Sequence, residues 1–170
     1  TETMKRFMKR ALNSEDFLTL IDQLPPEKNY KAANSLFLFL CSTDKTLKWR
    51  TVRSFGLLVA KLAETDIDKA RNIMRKFIWI NSEESGNIGW GTPEAMGEIM
   101  AQSEPLAKEY ASILVSFMQE EGNFLEFEPL QEGVVWAVGR LAEAYPELLI
   151  ADKAGYYLTF YLDSHVPEIR

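Results

Sequence analysis

Three glycines set the frame of this chain. Gly56, Gly97 and Gly139 close the segments WRTVRSFG, WGTPEAMG and EGVVWAVG, and their positions step by 41 and 42 residues. Set in register on them, Ser54, Ala95 and Ala137 are small, two places before the glycine. Phe55, Met96 and Val138 are apolar, one place before it, while Trp49 with Trp90 and Thr51 with Thr92 share positions. After each glycine an apolar helical pattern continues, then a turn and a second amphipathic stretch. That is a two-helix unit recurring about every 41 residues, a unit that buries its apolar face by stacking on its neighbours.

Apolar spacing supports helices almost throughout. Val52, Phe55, Val59 and Leu62 recur at steps of three and four, as do Ile67, Ala70, Met74 and Phe77, and Leu106, Tyr110, Ile113, Leu114 and Phe117. Thr65 and Asp68 form a T-x-x-D start for the second of these. PLQEGVVWAVGRLAEA and PELLIADKAGYYLTFYLD each open on a proline suited to a first helical turn. Pro25–Pro26 separates an N-terminal helical pair from NYKAANSLFLFLC, and the polar runs 81–87 and 120–123 read as loops. No alternating strand bounded by turn residues stands out. The expectation is one all-α domain over 1–170 with eight or nine helices: divergent helices in 1–43, repeats in 44–86, 87–128 and 129–163, and the start of a further repeat in 164–170. On that reading the chain stops within a repeat, both ends look trimmed, and Tyr156 and Phe160 are more exposed than their type warrants.

Composition narrows the chemistry. Apolar residues make up 46%, enough for a packed core. The one cysteine, Cys41, excludes an internal disulfide and fits a reducing, cytoplasmic setting; its place in SLFLFLC reads as a small buried hydrophobe. No apolar run approaches the roughly 20 residues of a membrane span, and the basic start lacks the apolar centre of a signal peptide. His165, in the C-terminal tail, is the only histidine, so nothing points to a His-based triad or a multi-His metal site, a Cys₂His₂ zinc site is excluded, and no catalytic, cofactor or metal residues are assigned. The net charge of −6 hides an asymmetry: residues 1–80 carry 15 Lys and Arg against 9 Asp and Glu, residues 81–170 carry 4 against 16.

NIGWGTPEAMGEIM (87–100) is the one stretch that looks like a phosphate loop. A dinucleotide loop needs a preceding strand, and a Walker loop ends in Gly-Lys-Ser/Thr. Here acidic NSEESGN precedes it, no lysine follows before Lys108, and a phosphate would face Glu83, Glu84, Glu94 and Glu98. Gly97 shares its register with Gly56 and Gly139, which have no such loop. Close approach of two helices is therefore its expected role.

The small–apolar–Gly triplets SFG, AMG and AVG resemble the A-L-G signature of HEAT-like repeats of the phycobilisome-lyase type, and the tail LDSHVPEIR is similar to the lead-in of such a repeat. The resemblance covers 44–170 and implies an α/α superhelix of HEAT/armadillo-like repeats, with second helices on the concave face. It leaves the activity open, since such folds host many functions. The expected function is a non-enzymatic scaffold or protein–protein interaction module, with Lys69, Arg71, Arg75, Lys76, Trp79, Tyr157 and Tyr161 as partner-binding residues. Trp49, Trp90 and Trp136 are expected on first helices, packed between units. The alternative is a DNA-repair enzyme resembling HEAT-like alkylation-repair glycosylases, with Trp79, Arg71, Arg75 and Asp68 at its site. The acidic C-terminal half argues against nucleic acid as the partner. A tetrapyrrole-handling role would rest on the repeat resemblance alone. Self-association through oppositely charged ends is a further expectation.

Overall fold

The computed structural model describes residues 2–82 and 88–170. Among these the chain is all-helical, with ten α-helices, one short 3₁₀ turn (Pro26–Lys28) and no strand. The N-terminal part holds α1 (Met4–Leu12), α2 (Phe17–Asp22) and α3 (Asn29–Leu36). Three pairs follow: α4 (Lys45–Thr65) with α5 (Ile67–Ile80), α6 (Thr92–Gln102) with α7 (Glu104–Ser116), and α8 (Glu128–Ala144) with α9 (Pro146–Ala151). The last helix is α10 (Ala154–Thr159).

The helix starts have visible causes. The Asp44 carboxylate accepts from the amides of Thr46 (2.9 Å) and Leu47 (3.2 Å), satisfying two orphan donors of α4. Helices α6, α7, α8 and α9 each carry proline in the first turn, where a missing N–H costs nothing. The α5 cap is Asp66, which accepts from the Lys69 amide (3.2 Å), and not Thr65, whose hydroxyl donates back to the Lys61 carbonyl inside α4 (3.2 Å).

Helices α4, α6 and α8 lie side by side. Lys48 meets Glu94 and Gly56 meets Gln102 between α4 and α6; Glu94 meets Gly133 and Glu98 meets Arg140 between α6 and α8. Both series advance in the same sense, so the three helices run parallel. Helices α3, α5, α7 and α9 back this layer. Side-chain bonds tie the second layer together: Lys76 to Asn34, Arg71 to Glu109, and Ser112 to Asp152 just after α9, at sequence separations of 42, 38 and 40. The core runs between the layers, with Phe37, Phe55 and Phe77 forming a ring cluster at 4.7–5.0 Å.

Several expectations need correction. The C-terminal stretch is two short helices, because Lys153 takes the left-handed conformation (φ 57°) and interrupts the hydrogen-bond ladder. Cys41 is exposed: α3 stops at Leu36, and the turns that follow bury Phe39 and Leu40 and pack Phe37 on the core but leave Cys41 outside. Trp90 precedes α6 in a turn, 40% exposed, its ring edge-on to Phe127 at 5.3 Å. Gly139 is helical as expected but meets no other element, whereas Gly56 and Gly97 do. Glu83 and Glu84 lie outside the described residues.

Candidate functional site

Helix α6 is the centre of the first layer, and every residue from Thr92 to Met100 on it is buried. A helix without a wet face that carries two carboxylates must find partners for both, since an unmatched buried charge costs several kcal/mol. Glu94 and Glu98 are one turn apart, with Gln102 a turn further on, so they share one stripe of the helix. The Glu94 carboxylate pairs with Lys48 Nζ at 2.5 Å. Gly133 makes room for it, because a Cβ there would collide with the carboxylate. Glu94 Oε1 is buried without a hydrogen-bond partner. Glu98 is fully engaged: its Oε2 accepts from Arg140 Nε and its Oε1 from Gln102 Nε2, both at 2.7 Å.

Above this stripe the rings of Trp49 and Trp136 meet, centroids 4.7 Å apart. They stand on α4 and α8, which are separated by α6. Neighbouring helix axes lie about 8–10 Å apart, so a direct contact between second neighbours means that both indoles reach over α6. Beside the pair opens a cavity of about 650 Å³. Its wall is Leu18, Thr19 and Asp22 from α2, Trp49, Arg53 and Leu57 from α4, Glu98 and Gln102 from α6, and Trp136 and Arg140 from α8. The lining joins apolar and aromatic surface to two guanidinium and two carboxylate groups, the make-up of a binding cavity with a few convergent polar groups. Asp22 is bound from outside by Lys61 Nζ at 2.5 Å. The site can hold an apolar group beside a polar or charged one. Both oxygens of Glu98 are already engaged by neighbouring side chains, Arg140 and Gln102.

The expected partner-binding residues fall elsewhere, in two separate groups. On α5, Arg71 is held by Glu109 (2.6 and 3.0 Å) and Asp68 (2.9 Å), and these carboxylates push its proton affinity above the usual range. Lys69 pairs with Asp66 at 2.9 Å, Arg75 donates to Asn72 Oδ1 at 3.1 Å, and Lys76 lies 4.1 Å over the Phe37 ring. Arg71 and Lys76 thus tie α5 to its neighbours, whereas Lys69 and Arg75 find their partners on α5 and its cap. Trp79, at the end of α5, is 54% exposed. Tyr157 and Tyr161 belong to a second cavity at the other end of the helix order.

Sequence reasoning did not bring Glu94, Glu98, Lys48, Arg53, Arg140 and the two indoles together as one site. A signal was present: TPEAMGEIMA has acids only at positions 94 and 98, four apart, in an otherwise apolar helix. The neighbours that neutralise them come from residues about 40 positions away, which local periodicity does not reveal. Among the described residues no group of His, Cys, Asp and Glu could hold a metal ion, and no helix is long and apolar enough to cross a membrane. No protein-family model matches the chain, and no curated protein matches it.

Proposed function

We propose that the chain is a non-enzymatic interaction module, built of HEAT-like two-helix units, that holds a segment of a protein partner on the α4–α6–α8 face. The single observation that carries this reading is the Trp49–Trp136 contact beside the 650 Å³ cavity. Two large rings with apolar bodies and polar edges, flanked by arginines, are the residue types that dominate binding energy at protein interfaces. The side-by-side parallel first helices and the ties at separations of 38–42 support the repeat reading. The partner surface moves from α5, where the basic row is internally paired, to the first-helix layer. A photo-crosslinking amino acid at Leu57 or Thr19 tests this in the native host. Discrete protein adducts that disappear on Trp49→Ala support it; adducts equal to those from a probe at Ile150, on the far side of the order, overturn it.

A DNA-repair enzyme is the second reading, and one observation favours it: the cavity gathers two tryptophans, Arg53, Arg140 and Glu98. The pairing of Glu98 and the 16 acidic residues of 81–170 weigh against it. Salt-sensitive binding of duplex DNA, with release of an alkylated base, would establish it in place of the scaffold.

A further inference from the structure

We propose that the C-terminal cavity is a site for an organic cation, an ammonium or guanidinium group carried on an apolar stem; this does not depend on the α4–α6–α8 groove. The cavity measures about 520 Å³. Tyr156 stands at its aromatic corner, edge-to-face with Tyr157 (5.3 Å, 76°) and with Phe160 (5.2 Å, 86°). All three rings line the cavity, and aromatic surface is what an organic cation binds through the ring quadrupole. Glu120, Glu121, Glu128 and Asp163 add carboxylates to the wall, where Glu128 is met by His165 Nε2 at 3.0 Å, and no lysine or arginine lines it among the described residues. The side-chain cations that do sit over rings choose Phe7, Trp49, Phe17 and Phe37, leaving these three rings without one among the described residues. Tyr161 adds a buried ring. It is 8% exposed, forms part of the same wall, and its hydroxyl has no hydrogen-bond partner. Tyr156 and Phe160 remain 62% and 65% exposed, which a bound stem would cover.

Calorimetric titration of the whole chain with choline and with agmatine tests this, with 3,3-dimethyl-1-butanol as the neutral isostere of choline. At least one of the two cations binds with Kd near or below about 1 mM, and the neutral alcohol binds at least tenfold more weakly or not at all. Phe160→Ala weakens the cation about two- to fivefold, and a second change, Tyr156→Ala, weakens it further. Both residues are exposed, so circular dichroism stays unchanged in these variants. Glu120→Gln with Glu121→Gln weakens the cations and not the alcohol. A peptide carrying one trimethyllysine or arginine between glycines and serines separates the sources. Tighter binding than choline and agmatine assigns the cation to a polypeptide, equal or weaker binding to a small molecule. Absence of cation binding up to about 10 mM, equal binding of the alcohol, or indifference to Phe160→Ala and Tyr156→Ala overturns the proposal.

Discussion

Gly97 of α6 lies so close to Ala137 of α8 that a Cβ built on it would stand 2.6 Å from the alanine Cβ and 2.7 Å from its Cα. The obstruction includes backbone, which cannot swing aside. Gly97→Ala therefore forces α6 and α8 apart and costs about 1–3 kcal/mol, and Gly97→Leu at least as much. Gly139 shares the register position but meets nothing within 4 Å, so Gly139→Ala gains helix propensity, up to about 1 kcal/mol. Urea unfolding of the two alanine variants checks this through opposite shifts of the midpoint. Equal shifts would mean that α6 and α8 do not approach as described.

The Lys48–Glu94 pair makes the second prediction. Glu94 is only 4% exposed, while Lys48 keeps 28% of its side chain in water. Lys48→Met leaves a buried carboxylate whose Oε1 already lacks a partner, and destabilises by about 2–4 kcal/mol. Adding Glu94→Leu to Lys48→Met removes the orphaned charge and recovers a large part of that loss. A double variant as unstable as the sum of the two single ones would show that the pair contributes nothing.

Much of the fold was legible because it rests on local periodicity. Val52, Phe55, Val59 and Leu62 form the buried stripe that their spacing announces. The register on Gly97 points to a real helix contact, since close approach leaves a mark in the sequence: a glycine where a larger residue would collide. The site was not legible for the complementary reason. Glu94 looks like any surface acid until Lys48 and Gly133 are seen around it, and Trp49 and Trp136 are 87 positions apart. The partner of Arg71 was hidden for the same reason: a basic residue on a polar helix face gives no hint that Glu109 waits on the next pair. Lys153 shows the limit of pattern itself, because nothing in PELLIADKAGYYLTF marks the lysine as the residue that turns left-handed.

A pH dependence follows from Arg71 and Glu109. The Arg71 hydrogen bonds hold the Glu109 carboxyl below its ordinary value of 4.5, and Lys69 does the same for the Asp66 cap below 3.8. A carboxyl whose folded value is depressed binds fewer protons folded than unfolded, so its contribution is present above the ordinary value. It fades as pH falls through the folded value. Thermal midpoints of the wild type and Glu109→Gln should thus differ at pH 7 and converge as pH falls from 4.5 downwards. A gap that persists or widens in acid would show that Glu109 is not held low by Arg71.

The charge asymmetry gives the last prediction, head-to-tail association. Basic α1 exposes Lys5, Arg6 and Lys9 at one end of the helix order, whereas Glu120, Glu121, Glu126 and Glu128 are exposed towards the other. With a net charge of −6 the chains repel on average, so only the orientation that brings unlike ends together is attractive. Such a contact uses different surfaces on the two copies and does not close, so mass should climb with concentration instead of stopping at a dimer. Reversing Arg71, Arg75 and Lys76 together would not test this cleanly, because a glutamate at 71 would face Glu109 and Asp68 and loosen α5 from α7. Reversing Lys5, Arg6 and Lys9 leaves the internal pairs intact. Each surface pair is worth at most about 1 kcal/mol, so the effect needs low salt, where the screening length is about 30 Å at 0.01 M. Sedimentation equilibrium there should show wild-type mass rising with concentration, a rise lost at about 0.15 M salt and in the triple reversal. A wild-type chain that stays monomeric at low salt would show that the two ends do not meet.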